Sequence, residues 1–224
     1  MATNRNLVFS NGYVYHVFNR GLDRRTVFTG IREFLRAKEL IQFYRHKNTP
    51  MSYSKYLQQP SELRSKILKR IDNEDLQVNI LAYCLMPNHF HFMLQQSVEK
   101  GIPIFVSNFT NAFTKYFNKK NKRSGPLFEG VFKAVLVESD EQLIHLSRYI
   151  HLNPVVSSVI KEQDLSHYKW SSYREYISTQ NEEHFVEKEL VLSMFKSKLE
   201  YQKFVLDDVG YAKKLNIIKH LLIE

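Results

Sequence analysis

The 224-residue sequence contains a single cysteine, Cys84. That excludes an internal disulfide and any zinc site built on several thiolates. No apolar run approaches the ~20 residues a helix needs to cross a bilayer. The opening residues, MATNRNLVFSNG, lack the apolar core of a signal peptide, so the expected compartment is the cytoplasm. There is no internal repeat and no low-complexity linker. Acid is the scarcer charge: 23 Asp and Glu stand against 32 Lys and Arg, a net charge of +9. This surplus points to a polyanionic partner, most simply nucleic acid. It is focused in mid-chain, where Lys115, Lys119, Lys120, Lys122, Arg123 and Lys133 face the single acid Glu129. Residues 181–189 are instead acid-rich.

Hydrophobic residues make up 43% of the chain and aromatics 13%, which is the composition of a folded globular protein. The stretch LAYCLMPNHFHFMLQQ, residues 81–96, reads as two apolar strands joined at Pro87-Asn88. Side chains alternate along a strand, so His89 and His91 share one face and Phe90 and Phe92 the other. Two imidazoles on one face of a rigid strand make half of a metal site. A strand-end coincidence gives the same pattern, so the pair alone decides nothing.

Upstream, residues 12–20 (GYVYHVFNR) read as a first strand, with His16 as a packed strand residue. Residues 31–46 carry a helical apolar stripe through Phe34, Leu35, Ala37, Leu40, Ile41 and Tyr44. Residues 47–77 form a polar insertion with one short helix predicted over Ser61–Asp72. Downstream, Phe109, Ala112, Phe113, Tyr116 and Phe117 mark a helix over 104–120, followed by a basic loop. Residues 127–138 read as a fourth strand or strand pair, with Gly130 at a bulge. Ser139 and Gln142 have the spacing of a capping box opening a third helix, which Pro154 is expected to stop. Ser171 can cap a short helix, and residues 186–201 and 209–222 read as two more helices. The order β-α-β-β-α-β predicts an α+β ferredoxin-like sandwich: an antiparallel sheet with helices on one face, then a helical C-terminal tail.

Tyr116 lies on the apolar stripe of the second helix, and packing explains it as well as it explains Phe113 and Phe117. It is also flanked by Lys115, Lys119 and Lys120. A tyrosyl oxygen between a sheet and a positive groove can attack a phosphodiester and form a phosphotyrosine. A divalent cation held by His89 and His91 would stabilise the charge that develops on that phosphate. Asn118, Asn121 and Glu129 are nearby oxygen donors for a third ligand.

The segments MPNHFHFML, FTKYFNKKNKRSGPLFEGVFKA, LSRYIHLNPV and YKWSSYREY together resemble the single-tyrosine HUH transposases, and most closely the REP-associated tyrosine transposases. The likeness spans roughly residues 10–178 and implies a catalytic domain over 1–178, with 47–77 as insertion and 179–224 as a helical extension. It implies that His89 and His91 bind Mg²⁺ or Mn²⁺ and that Tyr116, before Phe117-Asn118, is the nucleophile. Lys115, Lys119, Lys122, Arg123 and Lys133 are then the DNA contacts, with Arg123-Ser124-Gly125 as the basic loop. The implied activity is cleavage and rejoining of single-stranded or hairpin DNA through a 5′-phosphotyrosine, in a nucleoid-associated protein that can form a homodimer. Two positions depart from the pattern. Lys120 stands where insertion-sequence relatives carry a metal-binding glutamine, and Val131 stands where many relatives have arginine. Two other readings share the histidines: a phosphoesterase that activates water, and a domesticated DNA-binding module without chemistry.

Overall fold

The computed structural model describes residues 7–178 and 185–207. Four strands form one antiparallel sheet: β1 (Val14–Arg20), β2 (Val78–Met86), β3 (His89–Gln96) and β4 (Lys133–Leu136). Their order is β2-β3-β1-β4. The larger helices are α1 (Ile31–Tyr44), α4 (Gly101–Lys120) and α5 (Asp140–Val156). Shorter ones are α2 (Tyr53–Leu57), α3 (Ser61–Asp72), α6 (Tyr173–Ile177), α7 (Glu189–Leu192) and α8 (Lys198–Leu206). From β1 to β4 the four strands and the helices α1 and α4 give the ferredoxin-like arrangement predicted from the sequence.

The register sorts the side chains. In β3, His91 lies opposite Phe18 of β1 and Cys84 of β2, and His89 lies opposite Arg20 and Met86. Opposed residues of an antiparallel pair share a face, so these six side chains lie together. The intervening residues Phe90 and Phe92 face the other way and meet Phe109 of α4 edge-on, at centroid separations of 5.3 and 5.5 Å. Phe113 of α4 continues this layer against Phe28 and Phe128. Such pairs add about 0.5–1.5 kcal/mol each beyond the area they bury.

Helices on one face were expected, and the structure covers both. α1 and α4 take the phenylalanine face, and α5 packs across β2 and β3 on the histidine face. Burial of β2 from both sides explains its sequence: residues 80–86 are an unbroken apolar run, each at most 1% exposed. The α5 cap forms as predicted, with Ser139 Oγ accepting from the Gln142 amide at 3.2 Å. Pro154 does not stop the helix. It removes only the amide that would bond to Ile150, and the Ser157 amide still reaches the Asn153 carbonyl at 2.9 Å. The predicted strand over 127–138 shrinks to β4. Its first half is held by the Phe128–Gly21 bridge and by the Glu129 amide on the Arg20 carbonyl, with Gly130 in an unpaired segment rather than a bulge.

The helix α3 of the insertion forms where predicted, burying Ile67 and Ile71. The helix expected over 186–201 breaks into α7 and α8, because Ser197 Oγ caps a new start on the Glu200 amide. The helix expected over 209–222 lies outside the described residues. α8 is tied to α5. Buried Arg148 donates to the carbonyls of Val205 and Asp207. His151 sits between the Tyr201 hydroxyl at 2.7 Å and Ser172 Oγ at 2.8 Å, and burial pushes its pKa down to about 3. Among the described residues no helix is long and apolar enough to cross a membrane.

Candidate active site on the histidine face

The end of the sheet where β1 and β3 run side by side opens into a small cleft. Its walls are Phe18, Asn19 and Arg20 of β1, His89 and His91 of β3, and Glu129, Val131 and Lys133. Pairing brings the two histidines to this cleft. α5 closes it on the inner side, presenting Tyr149 and Asn153, one helical turn apart.

Asn153 is 4% exposed and touches both imidazoles. Its Oδ1 lies 3.3 Å from His89 Nε2 and its Nδ2 lies 3.4 Å from His91 Nε2. His89 Nδ1 lies 2.6 Å from Asn88 Oδ1, which can only accept, so Nδ1 carries the proton. In the neutral ring the Nε2 lone pair then faces the amide oxygen of Asn153. Two acceptors turned toward each other suit a cation between them. The rings of His89 and His91 stand perpendicular, at 89° and 4.9 Å. Among the described residues no three His, Cys, Asp or Glu side chains converge as a metal set. Asn153 Oδ1 is the amide oxygen placed beside His89 Nε2. Of the donors named from sequence proximity, the two asparagines do other work and Glu129 shares the cleft with the histidines. Asn118 bonds the Gly125 carbonyl and Arg123, Asn121 bonds the Phe117 carbonyl, and Glu129 lies on the cleft wall.

Tyr149 is 7% exposed, and its ring meets His91 edge-on at 5.5 Å and His16 at 6.1 Å. Tyr116 is not brought to this cleft. It lies on α4 beside Phe113, in the layer against the phenylalanine face, with the whole sheet between it and the histidines. Its hydroxyl donates to Glu33 of α1 at 3.3 Å, and Arg36 stacks on its ring at 4.9 Å. Burial raises its pKa, and the Glu33 carboxylate raises it further. Glu33 is held ionised. Its burial works to raise its pKa, but the bond and charge of Lys120 outweigh that and lower it. Tyr116 and Lys120 thus belong to an ion-pair cluster that joins α4 to α1.

The basic residues divide in the same way. Lys133 lines the cleft, with its ammonium 5.7 Å from the Phe18 ring. Lys115 and Lys119 are exposed on α4, and Lys122 is exposed in the loop after it. The guanidinium of Arg123 is spent on building that loop, donating to Asn118 Oδ1 at 2.6 Å and to the Pro126 carbonyl at 2.9 Å.

The family of proteins described as "Transposase IS200 like" matches residues 9–153, more than half of the chain, and the match ends on Asn153. The chain belongs to the IS200-like transposase family. No curated protein matches it. Its fold is similar to a solved REP-associated tyrosine transposase bound to a REP hairpin, with a TM-score of 0.51 and 16% identity. That likeness covers 79% of this chain and 86% of the other.

Tyr149 and Asn153 both lie in the segment LSRYIHLNPV, where residue type alone does not single them out. The signal was helical spacing: residues 149 and 153 are four apart and so share a face. That face carries polar groups into a buried position, unlike the apolar stripe of α4.

Proposed function

We propose that this transposase cuts and rejoins single-stranded or hairpin DNA with Tyr149, not Tyr116, as nucleophile. The observation that carries the reading is the shared placement of Tyr149 and Asn153. One turn of α5 sets the phenol against His91 and the amide against both imidazoles. Attack by the Tyr149 oxygen on a phosphodiester forms the P–O bond to tyrosine and breaks the P–O3′ bond. The phenol gives up its proton and the departing 3′ oxygen takes one, so the step consumes none. The product is a 5′-phosphotyrosine, and attack on it by another 3′ hydroxyl restores the tyrosine. One phosphodiester is exchanged for another, so no nucleotide cofactor is needed.

His89, His91 and Asn153 would hold a divalent ion such as Mg²⁺ or Mn²⁺. When bound, it supplies neutralisation of the charge that gathers on the phosphate oxygens. Lys133 and Arg20 flank the cleft and are suited to phosphate contacts, which would make binding strongly salt-dependent. Tyr116 would serve the fold, joining α4 to α1 through Glu33.

The test is covalent capture. The protein is incubated with labelled hairpin DNA and Mn²⁺, denatured and run on a gel. The reading expects a protein–DNA adduct with wild type and with Tyr116→Phe, and none with Tyr149→Phe. Cleavage that survives in Tyr149→Phe without any adduct would establish water as the nucleophile. Binding with neither cleavage nor adduct in wild type would leave a DNA-binding module.

A further inference from the structure

His16 takes no part in the chemistry above, yet it is fully buried at 0% exposure beneath the cleft. It lies in β1 with its ring stacked on Phe18 at 4.7 Å and nearly parallel to the His91 ring, at 19° and 5.2 Å between centroids. Its Nε2 is 3.0 Å from His91 Nδ1. Two ring nitrogens at that distance in a dry interior share one proton, and the nitrogen that donates fixes the tautomer of its ring. If His91 Nδ1 donates, His91 Nε2 holds a lone pair directed to the Asn153 side. If His16 Nε2 donates instead, neutral His91 carries its proton on Nε2 and has no lone pair to offer there.

We propose that His16 is the positioning residue that holds His91 in the metal-binding tautomer, by accepting the proton of His91 Nδ1. This rests on the reading of His89, His91 and Asn153 as metal ligands. A buried imidazole suits the role because it accepts at Nε2 while its ring is held against Phe18. Groups of this kind, one step behind a ligand, typically change metal affinity by about 10- to 100-fold when removed. His16 is fully buried and out of reach of substrate, so its effect should appear in metal binding before any DNA is present.

Mn²⁺ affinity of the DNA-free full chain, measured by titration calorimetry, separates the possibilities. His16→Phe keeps the stacked ring and removes the acceptor. His16→Gln restores an acceptor at nearly the same reach without the ring. His89→Ala tests the underlying site. The inference expects Mn²⁺ binding to weaken about 10- to 100-fold in His16→Phe and to stay within about threefold of wild type in His16→Gln. Unchanged affinity in His16→Phe, with binding lost in His89→Ala, overturns the role of His16 and leaves the metal site standing. Equal weakening in His16→Phe and His16→Gln also overturns it, since the ring and not the acceptor would then matter. Unchanged affinity in His89→Ala removes the metal site itself, and this inference with it. If His16→Phe does not fold, His16→Gln decides alone: near-wild-type affinity supports the acceptor role and a tenfold loss overturns it.

Discussion

The two faces of the sheet are built from the same strands on opposite terms. On one face, Phe90, Phe92, Phe105, Phe109 and Phe113 interlock with almost no polar group among them. On the other, His16, His91, Arg148, His151 and Asn153 are all buried, each at most 4% exposed. Burying so many polar side chains stabilises little, and each one left without a partner would cost about 1–3 kcal/mol. The phenylalanine face therefore holds the fold together. The histidine face holds fixed polar geometry instead, and it is the face on which the proposed chemistry would run. The two tyrosines follow the same division: Tyr116 links helices behind the apolar layer, and Tyr149 stands in the polar one.

Substitutions on the two faces should accordingly fail in different assays. The largest effect is expected from Phe92→Ala, which leaves a cavity in the apolar layer. It should cost about 3–5 kcal/mol in urea unfolding, while any folded fraction keeps its Mn²⁺ affinity. Loss of metal binding without loss of stability would erase the distinction. Asn153→Ala should do the reverse. Mn²⁺ affinity should fall roughly 10- to 100-fold while the unfolding free energy changes much less than in Phe92→Ala.

Smaller effects sharpen the placement of charge. Lys133→Ala should weaken binding of single-stranded DNA by about 1 kcal/mol and make the plot of log affinity against log salt shallower by about one. Lys115→Ala, on the far side of α4, should change the slope less, and the opposite ranking would move the DNA to the other face. The smallest expected effect is a gain. Val131 is 76% exposed on the cleft wall, so Val131→Arg should tighten DNA binding about two- to fivefold and steepen the salt plot.

Much of this arrangement was legible in the sequence because it is local. Alternation in HFHFML separated the histidine and phenylalanine faces before any fold was known, and the 3.6-residue stripe of α4 marked the helix that covers the latter. What local pattern could not carry was which helix lies on which face. Tyr116 has the basic flanks of a phosphate site, but the register of β3 sends His89 and His91 away from α4. α5 was legible as a helix and Ser139 as its cap. Its second stripe was hidden, because Tyr149 and Asn153 read as ordinary helix positions until β2 and β3 pack against them. The extra cover on the histidine face comes from long-range contacts such as Arg148 on the end of α8, which leave no periodic trace.

Peptide mapping of the covalent adduct tests the division between the two tyrosines most directly. The trapped protein–DNA complex is digested with trypsin and nuclease, and the peptide carrying the residual nucleotide is sequenced by mass spectrometry. Cleavage after Arg148 and Lys161 places Tyr149 in YIHLNPVVSSVIK, and cleavage after Lys115 and Lys119 places Tyr116 in YFNK. The account predicts the nucleotide on Tyr149 in the first peptide. A nucleotide on Tyr116 in YFNK would contradict it, because the phosphate would then have been attacked from the phenylalanine face.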